Sequence, residues 1–550
     1  MIQSLPTEVV YLITAGEVID SLSAVVRELV ENSLDAGATR IVISLYPEQW
    51  RVRVTDNGLG MNLEDLEQAA IAHSTSKIHH AADLWKIKTL GFRGQALHSL
   101  TTLGELEIFS RCAGDNQGWR VVYDKNGTVT KTEVVAIAPG TVVTVDNLFG
   151  NYAERRYGLP NKNQQLKKVQ ATIQQIALCH PQITYQVWQD KTEWFTIYPA
   201  SAVERIIPQI LNQIKPGDLK ELKLTIPELD STINLVVGLP DRCHRHKPDW
   251  VKIAINGRIV KSPELEEAVF GAFYKTLPRD RYPVCFVHLT IQPDQINWNR
   301  NPAKNEIYLN KMTYWQQKVT EGIDQAFSIA SSTIKESVRT GKITNLFKLA
   351  ETKGNYNFSH SDLGENKGSN LIDLKVIGQA SNTYIIAEYS EGMWLIEQHI
   401  AHERVIYERL CDQWQIVPVE SPIVLYQLST EQVKQLERIN LDIECFGENL
   451  WAVRSVPEML KNRKDCGEAL LELSLGGNLE AAKVAVACRT AIRNGTPMTL
   501  VEMEKLIYDW HRTRNPRTCP HGRPICLTLE ESALARFFRR HWVVGKSHGI

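Results

Sequence analysis

Glu28 and Asn32 stand four residues apart, so a helical turn puts both on one face. A carboxylate one turn from an amide suits a nucleotide site. The carboxylate can take a proton from attacking water, and the amide oxygen can ligate Mg2+. Helix surfaces carry such pairs without any chemistry, so the pair alone decides nothing. A second set lies far along the chain. His399 and Glu403 share the same spacing, and a histidine and a carboxylate so placed can grip one divalent cation. Cys488 offers a thiol, and Cys519 and His521 offer a thiol and an imidazole two residues apart. Sulfur, nitrogen and oxygen donors together form a set that zinc accepts. A salt-bridged helix end with inert buried cysteines is the plain alternative.

Folded elements must hold these groups. Residues 1–205 mix a helical pattern at 24–34 with alternating strands at 40–45 and 50–55. Residues 206–335 carry strand-like stretches at 222–227, 234–238, 251–255 and 283–291, then a helical pattern over 313–328. Strands mixed with helices in both regions predict α/β sandwiches. Residues 336–371 read as a linker, whose 351–370 stretch is rich in Gly, Ser, Asn and charge and nearly empty of aliphatics. Strand patterns resume at 374–377 and 384–389, and mixed α+β structure is expected over 372–550.

The 550-residue chain is too long for one core, and its length suggests about three or four domains. Hydrophobic content of 43% and charged content of 23% are ordinary for a soluble globular protein. A net charge of -1 excludes a polybasic binder as a whole and leaves DNA contact to local patches. One patch begins at His511, after which eight Lys and Arg stand against Glu530 and Glu531. Arg512, Arg514, Arg517 and Arg523 surround Cys519 and His521, where phosphates could dock; a solvated terminus is the bland reading. No apolar run approaches the ~18–20 residues of a membrane span, and no signal segment opens the chain, so no membrane contact is expected. Ten cysteines in such a chain predict reduced thiols in a cytoplasmic setting.

Further segments sharpen the nucleotide reading. Asp56-Asn57-Gly58-Leu59-Gly60 follows a strand, with glycines that allow close backbone approach. His73-Ser74-Thr75-Ser76-Lys77-Ile78 comes next, then Gly91-Phe92-Arg93-Gly94-Gln95-Ala96-Leu97, where two glycines frame an arginine before a helix as a phosphate lid would. Pro139-Gly140-Thr141 turns into another strand. In this order the segments resemble the ATP-binding motifs of the gyrase, Hsp90, histidine kinase and MutL (GHKL) superfamily, and the MutL versions most closely. The resemblance implies a Bergerat-type ATPase sandwich followed by a ribosomal-protein-like α/β transducer domain. It implies Glu28 as general base, Asn32 as Mg2+ ligand, Asp56 reading adenine, Asp35 in the ATP and Mg2+ site, and Gly58, Gly60, Thr75, Arg93, Gly94 and Thr141 around ATP or its lid. The turn Asn256-Gly257-Arg258 and the segment 297–306 resemble the family's second domain, which implies that Lys304 reaches the γ-phosphate. Gln95 stands where the family usually has Glu, Ile19-Asp20-Ser21 replaces its usual run, and Asn301 replaces its His.

The late segments resemble, in order, three motifs of endonuclease-type MutL homologues: Glu397-Gln398-His399 through Glu408, Ala487-Cys488-Arg489, and Cys519-Pro520-His521-Gly522-Arg523-Pro524. That match implies a C-terminal dimerisation and nicking domain in which His399, Glu403, Cys488, Cys519 and His521 hold Zn2+ or Mn2+, with Glu397 and Gln398 flanking them. Glu397 departs from the family's Asp. It keeps the charge on a longer stem, where ligand placement matters to about 0.5 Å. Gln413 with Ile416, Val417 and Pro418 resembles the family's peptide for the replication sliding clamp, although an ordinary helix-to-strand connection fits those residues as well. The implied activity is mismatch repair by a homodimeric ATP-gated clamp that nicks DNA, works with a MutS-type mismatch sensor and sits with the nucleoid. A matchmaker that binds ATP and cuts nothing is the alternative. Cys243-His244-Arg245-His246 and the pair at 79–80 also offer donors, but without a partner cluster they are expected at the surface.

Overall fold

The computed structural model describes residues 6–78, 89–215, 217–297, 308–328 and 374–532, with positions 3, 80, 83, 87 and 534. The expected linker, Lys304 and Asn301, His79, and the basic residues Arg536, Arg539, Arg540 and Lys546 lie outside the described residues. By packing, the chain falls into two units, one of Met1–Ala272 with Tyr282–Ala326 and one of Phe273–Arg281 with Phe327–Ile550.

The first unit contains two main sheets. Strands β1 (Arg40–Tyr46), β2 (Arg51–Asp56), β3 (Glu105–Arg111), β4 (Gly118–Tyr123), β5 (Val129–Val135), β6 (Gly140–Asp146), β7 (Thr184–Gln189) and β8 (Thr192–Ile197) form an eight-stranded sheet in the order β5-β4-β3-β6-β2-β1-β7-β8. In this sheet the β1–β7 pair is parallel and the other neighbouring pairs are antiparallel. Period-two alternation puts Ile41, Ile43, Val52, Val54, Leu106, Ile108 and Val121 on one face, fully buried with Val25, Leu29, Leu100 and Ile173 from helices Leu22–Asp35, Ala96–Leu103 and Lys162–Cys179. The other face stays polar: Arg120 of β4 pairs with Glu107 of β3 and Glu133 of β5. This is a two-layer α/β sandwich. Ser21 ends the divergent Ile19-Asp20-Ser21 run and caps helix Leu22–Asp35 by accepting from Ala24 N–H at 3.3 Å.

Strands β9 (Leu219–Ile226), β10 (Ser231–Gly238), β12 (Val251–Ile255), β13 (Arg258–Val260) and β15 (Cys285–Thr290) build a five-stranded sheet, while β11 (His244–Arg245) pairs with β14 (Tyr282–Pro283) and β16 (Ile296–Asn297) with β17 (Tyr308–Leu309). Helix Met312–Phe327 lies close over it: a Cβ on Gly322 would meet Leu235 Cδ1 at 2.3 Å. The β12–β13 hairpin turns through Asn256 and Gly257, both at positive φ, which delivers Arg258 in a fixed direction. The expected surface loop at Cys243 is corrected here. Cys243 is buried and His244–Arg245 forms a strand, because the β11–β14 pairing draws the thiol into the core.

The second unit is α+β. Strands β18 (Lys375–Ala380), β19 (Tyr384–Tyr389), β20 (Gly392–Glu397) and β24 (Cys526–Glu530) make a four-stranded sheet whose buried side packs Trp394 and Ile396 against helices Gln398–Asp412 and Leu500–His511. Strands β21 (Ile416–Tyr426), β22 (Ile443–Gly447) and β23 (Leu450–Pro457) make a second sheet beneath helices Thr430–Arg438, Cys466–Ser474 and Leu479–Thr490. All ten cysteines are free thiols. Among the described residues, no single helix is long and apolar enough to cross a membrane.

Candidate functional site

In the first unit, helix Leu22–Asp35 carries Glu28, Asn32 and Asp35 along one side. Glu28 is buried, with its Oε1 3.3 Å from Arg27 Nη2. Lys77 stands its ammonium against Asp35 Oδ2 at 2.5 Å and Asn32 Oδ1 at 3.5 Å. Two oxygen donors that hold one cation are a chemically reasonable place for Mg2+. Asp35 has further work: its carboxylate accepts from Leu90 N–H and Gly91 N–H, each at 2.9 Å, and so ties the start of the Gly91–Leu97 segment to the helix.

Asp56 ends β2 and sits opposite Thr141 of β6. Its carboxylate accepts from Ser33 Oγ at 2.8 Å and Gly58 N–H at 2.9 Å. Burial raises its pKa, against those two hydrogen bonds. The neighbouring glycines are dictated by space. A Cβ on Gly60 would stand 2.1 Å from Arg111 O, one on Gly140 2.1 Å from Asp56 O, and one on Gly94 2.5 Å from Ser74 O. All three have positive φ. Thr75 Oγ1 accepts from Lys77 N–H at 3.2 Å, and Thr141 Oγ1 is 2.9 Å from Ser110 Oγ. Burial lowers the Arg93 pKa, while the Glu28 charge opposes it.

Arg258 enters this site from the β12–β13 hairpin. Its guanidinium binds both carboxylate oxygens of buried Glu31 and also the Leu90 carbonyl. Glu31 and Arg258 are 227 residues apart, so nothing in the sequence joined them. Lys77 lies within the His73–Ile78 segment, where nothing in the residue types marks it as the cation that meets Asp35.

In the second unit, Glu403 Oε1, Cys519 and His521 bring ligand atoms within 4.8 Å of one another. Glu403 and Cys519 are fully buried. Glu403 Oε1 lies 2.8 Å from His521 Nδ1, in an ion pair whose direction makes no hydrogen bond, and Oε2 accepts from Arg523 Nη2 at 3.0 Å. A buried carboxylate against an imidazole and close to a thiol fits a divalent metal. The His521 pKa is raised to about 9, by Cys519 first and Glu403 next. For Cys519, burial opposes the thiolate, yet His521 and Arg523 bring the pKa below the ordinary thiol value. His399 Nε2 lies 4.0 Å from Cys488 Sγ, and the Cys488 pKa is raised by burial and by Glu403.

The N-terminal turn of helix Gln398–Asp412 is strapped to residues 491–496. Glu397 caps the helix through Ile400 N–H and accepts from Asn494 Nδ2. Buried Gln398 donates to the carbonyls of Asn382 and Arg493 at 2.9 and 3.0 Å, and His399 Nδ1 lies 2.9 Å from the Ile492 carbonyl.

Comparison with known proteins agrees with this layout. Residues 20–149 match the family model "Histidine kinase-, DNA gyrase B-, and HSP90-like ATPase". Residues 219–328 match "DNA mismatch repair protein, C-terminal domain", and 377–498 match "MutL C terminal dimerisation domain". The chain is 66% identical to the DNA mismatch repair protein MutL of Trichormus variabilis, over 100% of this chain and 99% of that one. It is 56% identical to the MutL of Rippkaea orientalis, over 100% and 99%. The MutL of Methanoculleus marisnigri is 31% identical, over 98% and 99%. The chain belongs to the MutL family of DNA mismatch repair proteins.

For a MutL-family chain, three groups stand differently from the sequence expectation. Both Glu397 oxygens are engaged in the cap and with Asn494, so its carboxylate acts here as a helix cap. Ile416, Val417 and Pro418 pair in β21 with Pro457, Val456 and Ser455, and Ile416 and Val417 pack on the core, while Gln413 and Pro418 are exposed. The expected phosphate-docking arginines are partly occupied: Arg514 pairs with Asp412 at 3.0 Å, Arg523 with Glu403, and Arg512 stacks on Tyr508.

Proposed function

We infer that this chain works in DNA mismatch repair as an ATP-gated homodimeric clamp that nicks DNA with a metal site in its second unit. The observation that carries the nicking half is the meeting of the ligand atoms of Glu403, Cys519 and His521, from segments over a hundred residues apart, around a fully buried carboxylate. His399 and Cys488 extend the donor set. Bound there, Zn2+ or Mn2+ supplies polarisation of the phosphodiester and a more acidic water. Glu403 provides the buried negative charge, which Arg523 and His521 face at 3.0 and 2.8 Å.

For the ATPase half, Glu28 acts as general base, Asn32 and Asp35 face Mg2+, and Asp56 accepts from the adenine amino group. Gly58, Gly60, Thr75, Arg93, Gly94 and Thr141 line the nucleotide or its lid, and Lys304 reports on the γ-phosphate. Lys77 must leave Asp35 as MgATP enters. The domains run over 1–205, 206–335 and 372–550, with a linker at 336–371. A MutS-type mismatch sensor, DNA at the nucleoid and the sliding clamp are the partners. For the clamp, exposed Gln413 is ready, whereas Ile416 and Val417 would have to leave the core.

One observation favours the non-cutting matchmaker: Glu397 spends its carboxylate on the helix cap. The test is conversion of supercoiled plasmid to open circles with Mn2+. Wild type should nick, and His399→Ala and Glu403→Lys should not. Equal residual activity in all three chains removes the nicking reading, and Glu28→Ala should abolish ATP hydrolysis independently.

A further inference from the structure

Every polar residue that opens helix Gln398–Asp412 grips the segment 491–496. Glu397 holds the Asn494 side chain, Gln398 holds the Arg493 and Thr496 carbonyls, and His399 and His402 hold the Ile492 carbonyl and N–H. Gln379 adds a bond to the Thr496 carbonyl at 2.9 Å and accepts from Met498 N–H. So many anchors fix the backbone of this segment, from which the exposed side chain of Arg493 projects as its one cationic group. Its guanidinium makes no hydrogen bond or ion pair among the described residues. Its own carbonyl accepts from Gln398 at 3.0 Å, and the preceding Ile492 carbonyl lies 2.9 Å from Nδ1 of the donor His399, so this backbone adjoins the metal donors.

Arg523 and Arg493 differ in charge available to a ligand. Arg523 is neutralised by Glu403 at 3.0 Å, whereas Arg493 carries an uncompensated positive charge on a rigid backbone at the rim of the cluster. A metal site that cuts a phosphodiester needs a group that holds the strand without taking a metal position, and a guanidinium's planar fork matches phosphate oxygens. We propose that Arg493 is a phosphate-binding residue of the nicking site, gripping a backbone phosphate of the strand to be cut. This rests on the nicking reading for its purpose, but not for its measurement.

The test uses the full-length chain and a fluorescein-labelled DNA duplex in EDTA, with affinity measured across a KCl series. Arg493→Ala should lower the slope of log affinity against log salt by about 0.9, the loss of one phosphate contact. Arg493→Lys should keep the wild-type slope. Arg454→Ala, which removes an exposed arginine paired to Glu444, should leave it unchanged. With Mn2+ and plasmid, Arg493→Ala should raise the half-saturating DNA concentration about 10-fold at unchanged metal content. An unchanged slope in Arg493→Ala, or an equal fall in Arg454→Ala, overturns the proposal. A wild type that does not nick, with the slope still falling, removes the nicking reading and leaves the phosphate contact standing.

Discussion

His399 and His402 hold opposite sides of one residue: His399 Nδ1 lies 2.9 Å from the Ile492 carbonyl, and Ile492 N–H donates to His402 Nδ1 at 3.0 Å. A carbonyl only accepts and an N–H only donates, so His399 is protonated on Nδ1 and His402 is not. His399 Nε2 thereby faces Cys488 Sγ at 4.0 Å, while His402 serves as a clip. His402→Ala leaves the Ile492 N–H without its acceptor, at a cost of about 1–3 kcal/mol. It should also weaken Zn2+ binding by roughly 10–100-fold, the size expected when an orienting partner is lost. Denaturant unfolding and Zn2+ competition titration check both, and no change in either contradicts the role.

Glu31 and Arg258 form a buried pair with side chains 4% and 11% exposed. Removing one partner strands the other charge, so Arg258→Ala should cost about 3–5 kcal/mol. It should also release the Leu90 carbonyl, and with it the 90–91 backbone that Asp35 holds. Replacing both, as Glu31→Gln with Arg258→Met, should recover most of the stability but not the ATPase rate. Chemical denaturation alongside phosphate-release kinetics separates these effects.

Gly140 lies against the backbone of Asp56, at φ +128 with its missing Cβ 2.1 Å from Asp56 O. Gly140→Ala must push β6 and β2 apart where Asp56 and Thr141 face each other. ATP affinity should fall at least about 10-fold, roughly 1.4 kcal/mol, by fluorescent-nucleotide titration. Unchanged affinity would mean that Asp56 does not need this register.

His288 accepts from Gly257 N–H at 3.0 Å, inside the turn that aims Arg258. Burial, with a smaller effect of His180, lowers its pKa to about 4 from 6.5. The folded state thus binds this proton less readily than the unfolded chain. The stability is fully present above pH ~6.5 and declines as pH falls toward ~4, by on the order of 3 kcal/mol. Melting curves of wild type and His288→Gln across that window should converge at the acid end. Parallel curves would contradict the assignment.

The legible parts were local. Period-two patterns at 40–45 and 251–255 became β1 and β12, and the helical spacing of Glu28 with Asn32 and of His399 with Glu403 became helices Leu22–Asp35 and Gln398–Asp412. What stayed hidden joins distant segments. Arg258 reaches Glu31 across 227 residues, and Ile492 lies between two histidines about 90 residues away, contacts for which spacing carries no signal. Glu397 misled for a different reason: a carboxylate before a helix serves as a cap as readily as a ligand, and only its contact with Ile400 N–H shows the cap here. Cys243 misled because polar neighbours said surface, while the β11–β14 pairing turns its thiol inward.

Glu403, Cys519 and His521 are proposed above as one divalent metal centre, on ligand atoms within 4.8 Å of one another. Its most direct test is Zn2+ titration of metal-free full-length chain by calorimetry, with wild type beside Glu403→Gln and Cys519→Ala. Wild type should show one tight site per chain, weakened at least about 100-fold in each variant. No tight site in wild type, or equal affinity in all three, would contradict it.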